Sequence, residues 1–205
     1  MKSPVNKLID PEIAAALAVK DPELGALIAR LGPVSVPVFD DHYYSLVMSI
    51  VYQQLSFRAA ETIFNRFLSR IDQQLVPEVV INLEEAEFRS LGISRQKARY
   101  ILDISKNFID RPDQYKTLAQ RSDEEVIKLL CEIKGVGRWT AQMFLMFTLM
   151  RPDVFPVADL GIRKAMVGLY QIPADAPLAE FETLAHRWAP YRSYACHYLW
   201  HAHDN

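Results

Sequence analysis

Apolar residues recur along this chain with the three-to-four-residue spacing of helices and almost nowhere with the alternation of strands. Leu46, Val47, Ile50 and Val51 form one apolar stripe, and Ile63, Phe64, Phe67, Leu68 and Ile71 form the next. In SRQKARYILDISKNF, Ser94 is placed to cap a helix whose Ala98, Ile101, Leu102, Ser105 and Phe108 share one face, leaving Arg95, Lys97, Arg99 and Lys106 to the others. Ser122 and Glu125 have the spacing of a capping box, ahead of Val126, Ile127, Leu129, Leu130 and Ile133 at helical intervals. After Gly135 and Gly137 an apolar helix is expected from Arg138 to about Met150, with further helices near Leu160–Tyr170, Leu178–Arg187 and Ser193–Trp200. Near the start, Asp21 before Pro22 and Gly32 at the far end mark a short helix, and GPVSVPVFDD reads as an extended linker. No strand pair, repeat or low-complexity tract stands out, so the expected fold class is all-α.

Composition narrows the classes without naming one. A chain of 205 residues, half of them hydrophobic, can build one compact domain or two small lobes. With 23 Lys and Arg against 25 Asp and Glu, a nucleic-acid surface would have to be a local patch. The basic residues do group: Arg89, Arg95, Lys97 and Arg99, then Lys134 and Arg138, then Arg163 and Lys164. Each group is either a solvated helix face or a duplex contact, the latter with steep salt dependence. The acidic run Glu84, Glu85 and Glu87 is expected to face elsewhere.

The two cysteines, Cys131 and Cys196, lie far apart, and the chain opens without a leader-like segment, which suits a reducing cytoplasm. The longest apolar run, Met143–Met150, is too short for a bilayer, so a soluble protein with no membrane partner is expected. His197, His201 and His203 beside Cys196 have helical metal-site spacing, but no second ligand cluster stands near them, and no side-chain metal site is expected.

The stretch IKGVGRWT carries the first candidate chemistry. A Gly-x-Gly turn between two helices exposes the amides that open the second helix, where the helix dipole favours an anion. A phosphate flanked by Lys134 and Arg138 is one reading, and a plain C-cap with a connector is the other. Downstream, in DVFPVADLGIRKAM, Asp159 stands at the start of a helix. It can be an N-cap, a partly desolvated catalytic carboxylate, or both, since capping fixes the backbone of a reacting residue.

The order LCEIKGVGRWTAQMFLMF, then VFPVADLGIRKA, resembles the helix-hairpin-helix motif and downstream aspartate of the DNA glycosylase superfamily named for them. More narrowly it is similar to the alkylated-base (3-methyladenine) branch. SIVYQQLSFRAAETIFNRF, LRSLGISRQKARYILDISKNF and WAPYRSYACHYLW follow the same family order, and the resemblance runs from about Tyr43 to Trp200. It implies two helical lobes with a cleft between them and no extra N-terminal β-domain. It also implies a single glycosylase domain over 1–205, a hairpin motif at about 123–150 and a catalytic-aspartate segment at about 153–165.

The implied activity is monofunctional excision of alkylated purines, such as 3-methyladenine and 7-methylguanine, from flipped nucleotides of double-stranded DNA in base excision repair. Asp159 would be catalytic, with Trp139, Tyr191, Met143 and Gln53 around the base and Gln54 or Leu55 as the wedge that fills the vacated stack. Read from the sequence alone, Trp139 and Met143 are also an ordinary core stripe, and YQQL a polar helix end. Lys134, Gly135, Val136, Gly137, Arg138, Thr140, Arg163 and Lys164 would meet the DNA backbone. A Na+ or K+ ion on the hairpin carbonyls 133–137 would be the one cofactor. Relatives that also cut the strand carry a lysine where this chain has Trp139, so no lyase step is expected. Two cysteines do not supply the four thiolates of the iron-sulfur branches. A monomer in the cytoplasm, or in a nucleus, completes the expectation.

Overall fold

The computed structural model describes residues 4–204 and divides the chain into two compact units, Phe39–Phe144 and Pro4–Val38 with the segment from Leu145 on. In chain order the elements are β1 (Val5–Leu8), α1 (Pro11–Lys20), α2 (Pro22–Leu31), β2 (Ser35–Val38), α3 (His42–Tyr52), α4 (Phe57–Arg70), α5 (Pro77–Val80) and α6 (Glu85–Ser90). There follow α7 (Arg95–Asp110), α8 (Pro112–Lys116), α9 (Asp123–Cys131), α10 (Arg138–Phe147), α11 (Leu160–Tyr170), α12 (Leu178–Ala185) and α13 (Arg192–Asp204).

The fold is helical as expected, and the capping signals fall where the sequence puts them. Asp21, Ser94, Ser122 and Asp159 each cap the following helix through the side chain, and Ser122 and Glu125 complete the capping box. One expectation fails: β1 and β2 form a small antiparallel pair, Val5 opposite Val38 and Leu8 opposite Ser35. The alternation that would reveal it is missing, because every residue of VNKL is exposed and the pair encloses the α1–α2 hairpin. The apolar helix after the hairpin also stops at Phe147, short of Met150, whose left-handed φ of 52° turns the chain so that the Arg151 amide donates to Leu145 O at 2.9 Å.

In the first unit α7 is central, packing against α3, α5 and α6. Its Ala98, Ile101 and Ile104 are fully buried, as is Ile50 of α3. Each large aliphatic side chain of this kind contributes about 1.5–3 kcal/mol by leaving water. The polar Ser105 on the same face is satisfied by Tyr43 Oη at 2.7 Å and Ile101 O at 2.8 Å.

The second unit buries a carboxyl group at the junction of several of its elements. Asp21 is fully buried and accepts from the Leu24 amide at 3.0 Å, the Trp188 indole at 2.9 Å and the Tyr170 hydroxyl at 3.0 Å. The residue read as a helix cap therefore also ties α2 to α11 and to the turn before α13. A carboxylate tolerates such burial only when its lone pairs are taken up in this way.

Candidate functional site

The hairpin between α9 and α10 is shaped by its two glycines for different reasons. Gly135 has φ +87°, and a Cβ there would lie 2.2 Å from the Tyr100 ring, so both conformation and packing demand glycine. Gly137 needs neither: its φ lies outside the left-handed region and a Cβ would meet nothing within 4 Å. Within the chain a Cβ is accommodated at Gly137. The missing side chain instead leaves room for something outside the chain to approach the first amides of α10.

Several hairpin groups are already engaged. The Lys134 amide donates to Asp103 Oδ2 at 2.9 Å, and the Val136 amide donates to Ile133 O at 3.1 Å. Val136, expected to offer its amide to a phosphate, therefore spends it within the turn. Thr140, expected at the DNA backbone, is only 5% exposed on the inward face of α10 beside Ala141. Lys134, Gly137, Arg138 and Trp139 remain on the surface, the tryptophan at 43% exposure. Arg138 pairs with Glu124 at 2.7 Å, and that bond holds the Glu124 carboxyl below its usual range. An exposed pair of this kind contributes little to stability and exchanges readily for another anion.

The YQQL turn is braced against this hairpin. Gln53, expected in the base pocket, donates its side-chain amide to Gly135 O at 3.1 Å instead. Lys97, read from the sequence as a solvated or DNA-facing cation, is half-buried and donates to Val51 O at 2.8 Å and Gln53 O at 2.7 Å. It thereby caps the last carbonyls of α3, and burial lowers its pKa. Held by these bonds, Gln54 adopts a left-handed φ of 57° and projects into solvent together with Leu55. A non-glycine residue in that region costs energy and is kept only where its surroundings fix it.

In the second unit, Asp159 caps α11 while only 8% exposed. Its Oδ1 accepts from the Ile162 amide at 2.9 Å and from the Trp200 indole at 3.1 Å. Trp200 is the functional neighbour that the sequence did not reveal. It lies 41 residues from Asp159 on another helix, and no local spacing links the two. Its ring is stacked on Phe147 with centroids 5.6 Å apart, which fixes the direction of the N–H.

The segment leading to Asp159 is equally fixed. Arg192 grips Asp153 through Nε at 2.7 Å and Nη2 at 2.9 Å, and Ser193 Oγ accepts from the Val154 amide at 2.9 Å. Burial would raise the Asp153 pKa, but the Arg192 bonds bring the net shift down, so the pair stays ionic. This combination is a preorganised carboxylate near a helix start, on a chain that also carries a glycine hairpin with open space at the Cβ position of Gly137.

The family described as HhH-GPD superfamily base excision DNA repair protein matches residues 47–190, a span that takes in the braced turn, the hairpin and Asp159. The chain belongs to this superfamily. Among its relatives, DNA-3-methyladenine glycosylase 1 of Schizosaccharomyces pombe is 36% identical over 161 residues, which cover 77% of this chain and 71% of that one. A Bacillus subtilis protein with the provisional name DNA-3-methyladenine glycosylase is 33% identical over 171 residues, 80% of this chain, which spans 60% of that relative's length. A 3-methyladenine DNA glycosylase of S. pombe, solved in complex with abasic DNA, superposes with TM-score 0.82 at 29% identity, covering 95% of this chain and 97% of that one.

The remaining expected site residues divide between the units. Met143 is half-buried in the first unit, and Tyr191, also half-buried, lies in the second, its ring 6.3 Å from that of Tyr194. On α11, Lys164 is exposed, whereas Arg163 is half-buried and its Nε has no hydrogen-bond partner. The acidic run does not face away from the basic helix face, since Glu85 pairs with Arg95 and with Arg99. The histidines of α13 do not form a metal site among the described residues. His197 is buried against the Phe147 and Trp200 rings, and burial, followed by repulsion from His201, lowers its pKa to about 3. The His203 side chain lies outside the described residues. Cys196 is fully buried, and its thiol is pushed well up by burial and then by the charge of Asp159.

Proposed function

We propose that this protein is a monofunctional DNA glycosylase that removes alkylated purines, 3-methyladenine and 7-methylguanine among them, from double-stranded DNA, acting as a monomer. The observation that carries the reading is Asp159: a nearly buried carboxylate held by a helix amide and an indole N–H. It belongs to a superfamily chain whose relatives bear the name DNA-3-methyladenine glycosylase.

Alkylation at a purine ring nitrogen makes the base cationic, so it departs without an acid. As it leaves, positive charge develops on the deoxyribose. A fixed carboxylate stabilises that charge without reorganising and orients the attacking water. The bond between the sugar carbon and the base nitrogen breaks, the water oxygen bonds to the sugar carbon, and the water proton passes to solvent through Asp159.

The base must first leave the stack. The exposed Trp139 ring offers a face on which a flat, electron-poor base stacks, and Met143 of the same unit and Tyr191 of the other are further residues assigned to contact with the base. Gln54 and Leu55, on the braced turn, fill the gap in the duplex. Lys134, the amides at Gly135 and Gly137, Arg138, Arg163 and Lys164 hold the backbone without reading sequence. Trp139 stands where strand-cutting relatives carry a lysine, which supports hydrolysis with no lyase step.

A Na+ or K+ ion fits the hairpin by its donor set. Ile133 O and Gly135 O each accept one hydrogen bond within the protein and keep a second lone pair for a cation. Bound there, the ion would add positive charge beside the phosphate.

The test is incubation of the purified protein with methylated DNA and identification of the freed bases. Release of 3-methyladenine or 7-methylguanine, leaving intact strands with abasic sites, is expected. No released base, or a covalent protein-DNA adduct trapped by borohydride, contradicts the proposal.

A further inference from the structure

Beside the hairpin, α7 borders a hollow of about 850 Å3, of which the glycosylase reading uses only Lys134. Four cations, Arg95, Arg99, Lys106 and Lys134, line it. Its lining also includes the apolar Ile81, Leu102 and the Tyr100 ring, against which Gly135 packs. Two carboxylates face these cations. Glu85 pairs with both arginines at the surface, and Asp103 is committed to the Lys134 amide and the Asn107 side chain. The ammonium groups of Lys106 and Lys134 have no ionic partner among the described residues. In a chain of net charge −2, four cations around one hollow are a concentration, and they exceed the facing anions by two.

We propose that this hollow is a second sugar-phosphate site, which takes a run of DNA backbone beyond the phosphate held by the hairpin glycines. The proposal rests on the DNA-binding part of the reading above, not on its catalytic part. Three arguments support it.

The first is chemical. Deoxyribose presents an apolar face and phosphate an anionic one, and the hollow's lining combines apolar and cationic side chains.

The second is dimensional. Arg95, Arg99 and Lys106 lie along one side of α7, and the 11 steps from the first to the last rise about 16 Å at about 1.5 Å each. A DNA strand offers one phosphate per about 3.4 Å of rise, so several fit along that length.

The third is electrostatic. Arg95 and Arg99 are 61% and 67% exposed, so exchanging Glu85 for a phosphate requires only side-chain rotation. Lys134 belongs to both the hairpin and the hollow, which makes the two sites continuous.

The experiment is duplex binding followed by fluorescence anisotropy across a range of KCl concentrations. The proteins are wild type, Arg99→Ala, Lys106→Ala, the double variant, and Lys116→Ala, an exposed cation outside the hollow. Removing one phosphate-binding cation should flatten the slope of log affinity against log salt by about 0.9. The expected result is a decrease of about that size in each single variant, about twice that in the double variant, and none in Lys116→Ala. An unchanged slope in the double variant overturns the proposal and leaves the hollow to an acidic protein. An equal decrease in Lys116→Ala overturns it too, because the effect would then be one of net charge.

Base release is measured in parallel on the wild-type protein. Flattened slopes without base release would refute the catalytic reading and leave the hollow standing. Base release with unchanged slopes would do the reverse.

Discussion

Replacing Trp200 with phenylalanine isolates one hydrogen bond in the centre of the proposed machinery. The substitution keeps an aromatic ring against Phe147 and His197 and removes the N–H that reaches Asp159 Oδ1 at 3.1 Å. Oδ1 retains the Ile162 amide at 2.9 Å, so the carboxylate is not left without a partner and the helix keeps its cap. What disappears is a bond to a charged group, a contribution of about 1.5–3 kcal/mol. If it acts by holding the carboxylate toward developing charge, the loss appears in the barrier, and about 1.4 kcal/mol corresponds to a tenfold change in rate. Trp200→Phe should therefore release 7-methylguanine about 10- to 150-fold more slowly in single turnover at saturating protein. Affinity for abasic-site DNA should stay within about twofold of wild type, well under the 1.4 kcal/mol that marks a tenfold change. A wild-type single-turnover rate in Trp200→Phe would refute the claim that this indole positions the carboxylate.

The two glycines of the hairpin should separate under alanine substitution. Gly135→Ala places a Cβ 2.2 Å from Tyr100 at φ +87° and should lower the stability of the first unit by about 2–4 kcal/mol, read as a fall in thermal midpoint. Gly137→Ala meets nothing within 4 Å, so its midpoint should not fall, while its duplex affinity should. Equal affinity in that variant would remove the reason for an empty Cβ position. His197 predicts an acid limb of stability. Its pKa falls from 6.5 to about 3 on folding, so the unfolded chain binds the extra proton. Stability is complete above the unfolded value and is lost as pH falls from about 6.5 toward about 3, by at most about 1.4 kcal/mol per pH unit. Between pH 7.5 and pH 5 the urea midpoint should drop by the equivalent of about 2 kcal/mol, and His197→Phe should flatten that slope.

Much of the fold is legible in the sequence because its signals are local. Ser94, Ser122 and Asp159 cap helices within three residues of their own position, and the apolar stripes of α3, α4 and α7 repeat within a turn. The pair β1–β2 is not legible, because its strands are separated by two helices and VNKL buries no face.

The candidate site divides along the same line. IKGVGRWT and Asp159 stand out by local pattern and by family order. The groups that hold them are long-range: Trp200 on Asp159, Gln53 on Gly135 and Lys97 on the end of α3. Lys97 shows the limit most clearly. Helical spacing puts it on the polar side of α7, and nothing in the sequence says that this side meets the carbonyls of Val51 and Gln53. Asp21 is a similar case, since its local role as a cap conceals its bonds to Tyr170 and Trp188.

The central claim is that Asp159 performs the chemistry while the hairpin holds the DNA. Asp159→Asn keeps an oxygen that can accept from the Ile162 amide and the Trp200 indole, so fold and DNA affinity are expected to survive, and it removes the negative charge that stabilises the departing sugar cation. Single-turnover release of 7-methylguanine from methylated duplex by this variant should fall at least about a hundredfold, as when one preorganised electrostatic group is removed, with duplex binding retained. Release at the wild-type rate would contradict the account.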